Sequence, residues 1–249
     1  MVVTARASVP AGTALVLAAG NGDRFHNGTR RSKLLQPVLG RPLILRTLDT
    51  ARDAGITGFE IVLGYQAGAV RAAIERHAPE GAAVHFSYNP EWRLENGVSV
   101  LAARERLAGR RFALLMGDHL FEARVLTRLL LAGTARGDSL LAVDSRPHRP
   151  AVTAEATKVR RSGDRIVAIG KDLVEYDALD TGVFVCAPDL FAALEAARAA
   201  GDTTLSGGIR RLAARGRMRG LDIGNATWHD IDTMADLETA ESLLVAQSA

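Results

Sequence analysis

The run Ala14-Leu-Val-Leu-Ala18-Ala19-Gly20-Asn-Gly22-Asp-Arg24-Phe25, continued by Ser32-Lys33-Leu34-Leu35-Gln-Pro37 and Gly40-Arg-Pro-Leu-Ile44, decides how the whole chain is read. Residues 14–18 form a short apolar strand that runs straight into Gly20 and Gly22. Glycines at a strand end let the backbone turn sharply and come close to a ligand, with exposed N–H groups aimed at phosphate oxygens. Arg24 adds a planar fork of donors and Lys33 a compact point charge, a pairing that suits a polyphosphate. A glycine pair alone also makes an ordinary strand-to-helix turn. A strand, two glycines, an arginine and a lysine in this order ask for more than a turn. A dinucleotide-binding fold would need a third glycine, where Phe25 stands, and an acidic residue closing the second strand. The second apolar run, 59–63, closes instead on Gly64-Tyr65.

The string from Leu17 to Arg24, with Ser32-Lys33 and Gly40-Arg-Pro-Leu-Ile44, resembles the signature of nucleotidyltransferases that activate sugar or alcohol phosphates with a nucleoside triphosphate. Further short runs extend the likeness in order: Asn89-Pro-Glu-Trp92, Glu95-Asn96-Gly97-Val-Ser99, Leu114-Leu-Met-Gly-Asp118-His119-Leu-Phe121, Ala156-Thr-Lys158-Val159, Ile169-Gly-Lys171, Asp180-Thr-Gly182 and Asp230-Ile-Asp232-Thr233. Together they are similar to the inositol-1-phosphate cytidylyltransferase branch. The resemblance implies a Rossmann-like α/β fold, a mostly parallel central sheet flanked by helices, and a small β insertion on the acceptor side. It also implies Mg²⁺, a nucleoside triphosphate (CTP or GTP) and a small phosphorylated cyclitol or polyol. Some relatives are fused to a membrane-embedded transferase. The sequence ends at Ala249, so such a partner is expected to be a separate chain.

Bulk properties agree with a globular α/β protein. The chain has 249 residues, 47% of them hydrophobic, and a formal charge of +3, enough length for one sizeable domain. Residues 1–12 read as a loose tail and 13–249 as a single nucleotidyltransferase domain. The arginines at 210, 211, 215, 217 and 219 are interleaved with Leu212, Ala213, Ala214 and Met218 rather than stacking aromatics. They read as a solvated helix face and not as a nucleic-acid surface. Cys186, the single cysteine, sits in the apolar run 183–186 and reads as a buried small hydrophobe. No signal-peptide pattern and no apolar run of membrane-spanning length appear, so no membrane insertion and a cytoplasmic location are expected. A homo-oligomer is left open.

Along the chain, apolar positions at helical spacing follow the signature at Leu43, Ile44, Leu48, Ala51 and Ala54, then at Val70, Ala73 and Ile74, and a helix is expected at 101–107. Strands are expected at 59–63, 84–88 and 112–116, which implies parallel pairing through helical crossovers. The region from about Ser139 to Asp180 reads as the acceptor-side insertion, with short strands at 139–143, 156–160 and 165–169 and a loop at 146–150.

Asp118 follows an apolar strand through Gly117. A carboxylate at a strand end beside a triphosphate loop suits Mg²⁺, which takes hard oxygen donors; a turn-capping role is the plainer alternative. Asp230 and Asp232 lie on one face of an extended segment, and either Asp232 or Thr233 also suits the N-cap of the last helix. The resemblance selects Asp232 as second ligand, with Asp230 as its substitute. By the same comparison Ala18, Ala19, Gly20, Gly22, Arg24, Lys33, Asn96 and Gly97 meet the nucleotide, Asn96 also being a good N-cap in its own right. Lys158, Lys171 and Asp180 are expected on the acceptor side, with Lys158 also readable as an edge-strand charge and Asp180 as a plain turn residue. His119 is expected beside the metal or on the acceptor side.

The chemistry expected of Arg24, Lys33 and Lys171 is charge management, because the triphosphate and the acceptor phosphate repel and the acceptor oxygen is already ionised. Direct attack at the α-phosphorus follows, without a covalent enzyme intermediate. The other readings are a different nucleotide or acceptor, such as GTP with valienol 1-phosphate or CTP with phosphocholine or a phosphonate, and a nucleotide-sensing module. Arg24, Lys33, Asp118 and Asp232 together argue against a sensor. Leu34 and Leu35 stand where many sugar-phosphate relatives place a proline after the signature lysine, and the loop at 26–31 is unusually basic. Either departure is expected to reshape the pocket.

Overall fold

β1 (Thr13–Ala18) is apolar on both faces and is covered on both, as a central strand between layers of helices must be. The computed structural model that shows this describes residues 12–22, 25, 31–132, 137–147 and 150–248. Arg24, residues 26–30 of the basic loop and the expected tail apart from Gly12 lie outside the described residues. After β1 come a single 3-10 turn (Lys33–Leu35), the two-residue strands β2 (Pro37–Val38) and β3 (Arg41–Pro42), and helix α1 (Leu43–Asp53). Strands and helices then alternate through β4 (Gly58–Leu63), α2 (Ala67–His77), β5 (Ala83–Tyr88), α3 (Asn96–Ala102), α4 (Arg104–Leu107), β6 (Phe112–Met116), β7 (His119–Phe121), α5 (Ala123–Ala132) and β8 (Ser139–Asp144). The remainder comprises α6 (Pro150–Glu155), β9 (Lys158–Ser162), β10 (Arg165–Gly170), β11 (Ala178–Cys186), α7 (Asp189–Ala199), α8 (Leu205–Ala214), β12 (Met218–Asp222), β13 (Trp228–Asp230) and α9 (Met234–Ser248).

One sheet runs in the order β5-β4-β1-β6-β11-β8-β12-β10-β9. β5, β4, β1, β6, β8, β12 and β9 point one way, and β11 and β10 point the other. The sheet is therefore mostly parallel, as expected, with its main reversal at β11. One face packs residues of β1, β4 and β6 against α1, α2 and α5, and the other packs against α3, α7 and α8. Because β1, β4 and β6 run in parallel, their carboxyl ends open on one edge, where ligands of such sheets collect.

Four expectations need correction. Residues 139–143 do not belong to an insertion: β8 is buried along its whole length between β11 and β12, because a strand apolar at every position from Leu140 to Val143 must be covered on both faces. Only the β9–β10 hairpin projects, and it pairs with β11 and β12 as an extension of the same sheet. The helix expected at 101–107 begins at Asn96 and is interrupted at Ala103, giving α3 and α4. β11 begins at Ala178, so Asp180 lies inside a strand, at a register shift against β8.

The fourth correction concerns the arginine run. Only Arg210 and Arg211 lie on α8, whereas Arg217 and Arg219 are half-buried and both pair with the buried carboxylate of Asp138. A buried carboxylate needs such partners, and removing them strands a charge. Cys186 is fully buried, as read, and burial pushes its thiol well above its ordinary pKa.

Candidate active site

Lys33 stands at the centre of the strand-end edge, buried to 6% exposure. Its Nζ lies 2.8 Å from Asp118 Oδ2 and 2.8 Å from Asp232 Oδ1. Burial works against the ammonium charge, and the carboxylates of Asp118, Asp232 and Asp230 outweigh it, so the pKa is raised and Lys33 stays charged. Local sequence builds this position. Leu34 and Leu35 are buried in the core and pin the 3-10 turn. Gly22 adopts φ +64°, and a Cβ there would stand 3.0 Å from Lys33 Cβ, so only glycine lets the loop close over the lysine. Phe25 anchors the same loop in a small cluster with Leu43, Leu120 and Ile231. Gln66, in the left-handed region at φ +48°, accepts the Ser32 backbone N–H at 2.8 Å and fixes the approach to Lys33.

Asp118 occupies the turn between β6 and β7. The Gly117 N–H donates to Leu17 O at 2.9 Å, and the buried Thr47 hydroxyl of α1 lies 3.2 Å from both the Gly117 and His119 carbonyls. β7 pairs with β13 so that Asp230 lies opposite His119. His119 Nε2 lies 3.4 Å from Asp230 and 3.9 Å from Asp118, while Nδ1 lies 2.9 Å from Thr181 O and donates to it. Burial opposes the imidazolium, but Asp230 and then Asp118 outweigh it and push its pKa up to about 10. At the start of α9 the Thr233 hydroxyl and the Asp236 carboxylate cap reciprocally. Thr233 therefore takes the N-cap role, and the Asp232 carboxylate goes to Lys33.

Ligand atoms of Asp118, His119 and Asp230 lie within 4.8 Å of one another. Hard carboxylate oxygens gathered at a strand end fit a divalent cation. The pair expected to hold it, Asp118 and Asp232, is spanned by Lys33, and Asp230 is the carboxylate grouped with Asp118.

Asp118, His119, Asp230 and Asp232 line a cleft of about 1090 Å³, and Lys33 lies behind them. Ala19, Gly20, Asn96, Lys171 and Asp180 also line the cleft. Ala18 is buried within β1 and does not line it. Asn96 is not the N-cap of α3; Glu95 is, and Asn96 Oδ1 accepts the Leu205 N–H at 2.9 Å, tying α3 to the start of α8. Gly97 is buried, and a Cβ there would stand 2.6 Å from Thr203 O, so its glycine serves helix packing. Lys158 lines no part of the cleft. Its Nζ donates to the Lys171 carbonyl at 2.7 Å and sits 5.8 Å from the Tyr176 ring, so it holds the Lys171 turn. Asp180 Oδ1 accepts the Gly182 N–H at 2.8 Å, and burial pushes its pKa up to about 6.

Reasoning from the sequence missed Asp144, Arg146, Glu155 and Trp228, all of which line the cleft. Asp144 closes an apolar strand much as Asp118 nearly does, which was the available signal. The assignment of that strand to an insertion hid it.

A mostly parallel sheet with a glycine loop after its central strand, Asp118 just past β6, and a buried lysine held by Asp118 and Asp232 is the frame of a nucleotidyltransferase, and the family comparison supplies the class. The chain belongs to the MobA-like NTP transferase domain family, whose model matches residues 14–217. It is 38% identical over 95% of its length to a Rubrobacter xylanophilus protein named "Bifunctional IPC transferase and DIPP synthase", of which it covers 52%. A protein of the same name from Aquifex aeolicus is 35% identical over 94% of the chain, again covering 52% of that protein. The chain thus spans about half the length of the curated relatives it matches. A solved inositol-1-phosphate CTP transferase from T. maritima superposes with a TM-score of 0.82 at 26% identity, covering 95% of this chain and 96% of that one. No helix among the described residues is long and apolar enough to cross a membrane.

Proposed function

We propose that the chain transfers a nucleoside monophosphate from a nucleoside triphosphate to a cyclitol or polyol phosphate, releasing pyrophosphate. The observation that carries this is Lys33 held between Asp118 and Asp232, the two carboxylates lining the cleft. CTP and inositol 1-phosphate are the substrate pair favoured by the relatives' names, and the need for a nucleoside triphosphate favours the cytoplasm.

The acceptor phosphate oxygen attacks the α-phosphorus, forming one P–O bond as the bond to pyrophosphate breaks. No general base is needed because the acceptor is already ionised. Lys33 stabilises charge gathering on the α-phosphate, and Arg24 joins it from the glycine loop. The Gly20 and Ala19 backbone borders the triphosphate, Asn96 the nucleotide base, and Lys171 the acceptor phosphate. Asp118 and Asp230 would hold Mg²⁺, with Asp232 keeping Lys33 in place. The ion would neutralise phosphate charge and align the reacting groups.

The test is pyrophosphate release with Mg²⁺, pairing CTP, GTP, UTP, ATP and dTTP with inositol 1-phosphate, valienol 1-phosphate, phosphocholine, a phosphonate and glucose 1-phosphate. Release with CTP and inositol 1-phosphate is expected. Release only with GTP and another cyclitol phosphate would move the specificity but keep the chemistry, and no release from any pair would overturn the reading.

A further inference from the structure

The cleft holds a cation that the chemistry above leaves unused. Arg146 follows β8 and lines the cleft with its side chain 41% exposed. Its Nε donates to Asp144 Oδ1 at 2.9 Å, and its Nη2 donates to Asp144 Oδ2 at 2.6 Å and to the Ala226 carbonyl at 2.9 Å. Asp144 is only 1% exposed and also accepts the Trp228 indole N–H at 2.8 Å and the Arg146 backbone N–H at 3.0 Å. The guanidinium is thus fixed as a bidentate fork, a geometry lysine cannot reproduce. Its Nη1 makes no hydrogen bond to a described residue and keeps two N–H donors.

Position decides what those donors meet. From the reacting centre the contacts run from Asp118 to His119 at 3.9 Å, from the His119 ring to the Trp228 ring at 6.3 Å, and from Trp228 to Asp144 at 2.8 Å. Arg146 lies beyond Asp144, so side chains separate it from Lys33. Lys171, which takes the acceptor phosphate in the reading above, lines the same cleft as Arg146 and Trp228, so an acceptor held there by its phosphate has its ring hydroxyls in the space these side chains border. The Asp144 carboxylate compensates the guanidinium charge, which weakens its pull on a dianion but leaves its N–H donors for a neutral oxygen. Trp228, between the two, offers an apolar ring surface to the C–H face of a ring.

We propose that Arg146, locked by Asp144 beside Trp228, is a specificity-determining residue that binds hydroxyl groups of a ring polyol phosphate and not its phosphate. This rests on the nucleotidyl-transfer reading of the same cleft.

The experiment uses the full chain with Mg²⁺ and compares wild type with Arg146→Ala and Arg146→Lys in two arms. Pyrophosphate release gives KM for myo-inositol 1-phosphate and for CTP. Calorimetry gives the affinities of myo-inositol 1-phosphate and of cyclohexyl phosphate, which has the ring and the phosphate but no other oxygen. Arg146→Ala is expected to raise the acceptor KM about tenfold or more, to leave the CTP KM unchanged, and to erase the preference for inositol phosphate over cyclohexyl phosphate. Arg146→Lys recovers little of it. An unchanged acceptor KM, an equal loss for both phosphates, or a rise in the CTP KM overturns the proposal. If wild type releases no pyrophosphate from any pair, the nucleotidyl-transfer reading fails and binding alone decides. A selective loss of inositol phosphate affinity in Arg146→Ala then still supports the assignment, and equal affinities, or no binding to wild type, overturn it.

Discussion

The two walls of the cleft are built in opposite ways. On the wall of Asp118 and Asp232, charge is buried and locked: the lysine whose ammonium they hold is 6% exposed, and the turn that carries it is packed into the core by Leu34 and Leu35. On the Lys171 wall, Lys171 and Glu155 are exposed, and Lys158 steadies the turn that carries Lys171 by donating a hydrogen bond to its carbonyl. A preorganised, desolvated charge acts strongly on a transition state and tolerates little change. An exposed wall on a sheet-edge hairpin can change residues without disturbing the core. The difference matches a division of labour in which one wall performs the common chemistry and the other selects the acceptor.

The sharpest way to break this comparison is at Lys33. Lys33→Ala should lower turnover in the pyrophosphate assay by roughly 10²–10³-fold, and Asp118→Ala should do about the same, with the far-UV circular dichroism spectrum retained. Rates within tenfold of wild type in either variant would place the chemistry elsewhere. On the opposite wall, Lys171→Ala should raise the acceptor KM about tenfold and leave the NTP KM unmoved. Lys158→Ala should give the same signature at a few-fold, because it acts through the Lys171 turn. A larger effect from Lys158 than from Lys171 would reverse their roles.

Smaller effects concern stability. Asn96→Ala strands the Leu205 N–H and should cost about 1 kcal/mol in urea unfolding, with the m-value unchanged. Asp180 gives the pH dependence. Its folded pKa, about 6, lies above the ordinary 3.8, so the folded state binds the proton more tightly and loses stability as pH rises through about 6. Asp180→Asn cannot ionise, so its melting temperature relative to wild type should rise between pH 5 and pH 8. A flat difference would mean that Asp180 is solvated like a surface carboxylate.

Much of the fold was legible because its signals are local. β1, β4, β5 and β6 were read within a residue or so of their observed ends, since an apolar run bounded by glycines and polar residues carries its own limits. Asp118 was legible as a carboxylate just past a strand. Failures came where one local pattern had two tertiary uses. The apolar run at 139–143 fitted a small insertion and a core strand equally well, and only its place between β11 and β12 separates them. Asn96 has good capping chemistry, yet its amide reaches α8 because the N-cap of α3 falls one residue earlier, on Glu95, and Asn96 is already the first residue of the helix.

The sequence by itself determined the glycine loop, the charged residues that follow it and the nucleotidyltransferase class, because backbone freedom, charge and strand-end position are set by residues next to one another in the chain. The tertiary structure alone decided the partnerships. Lys33 meets Asp232 across 199 residues of sequence, Thr233 takes the helix cap and leaves Asp232 for the lysine, and Asp230 comes to His119 through the β7–β13 ribbon. Each carboxylate had several roles open to it, and hydrogen-bond geometry in a buried site lets it keep only the one its neighbours complete.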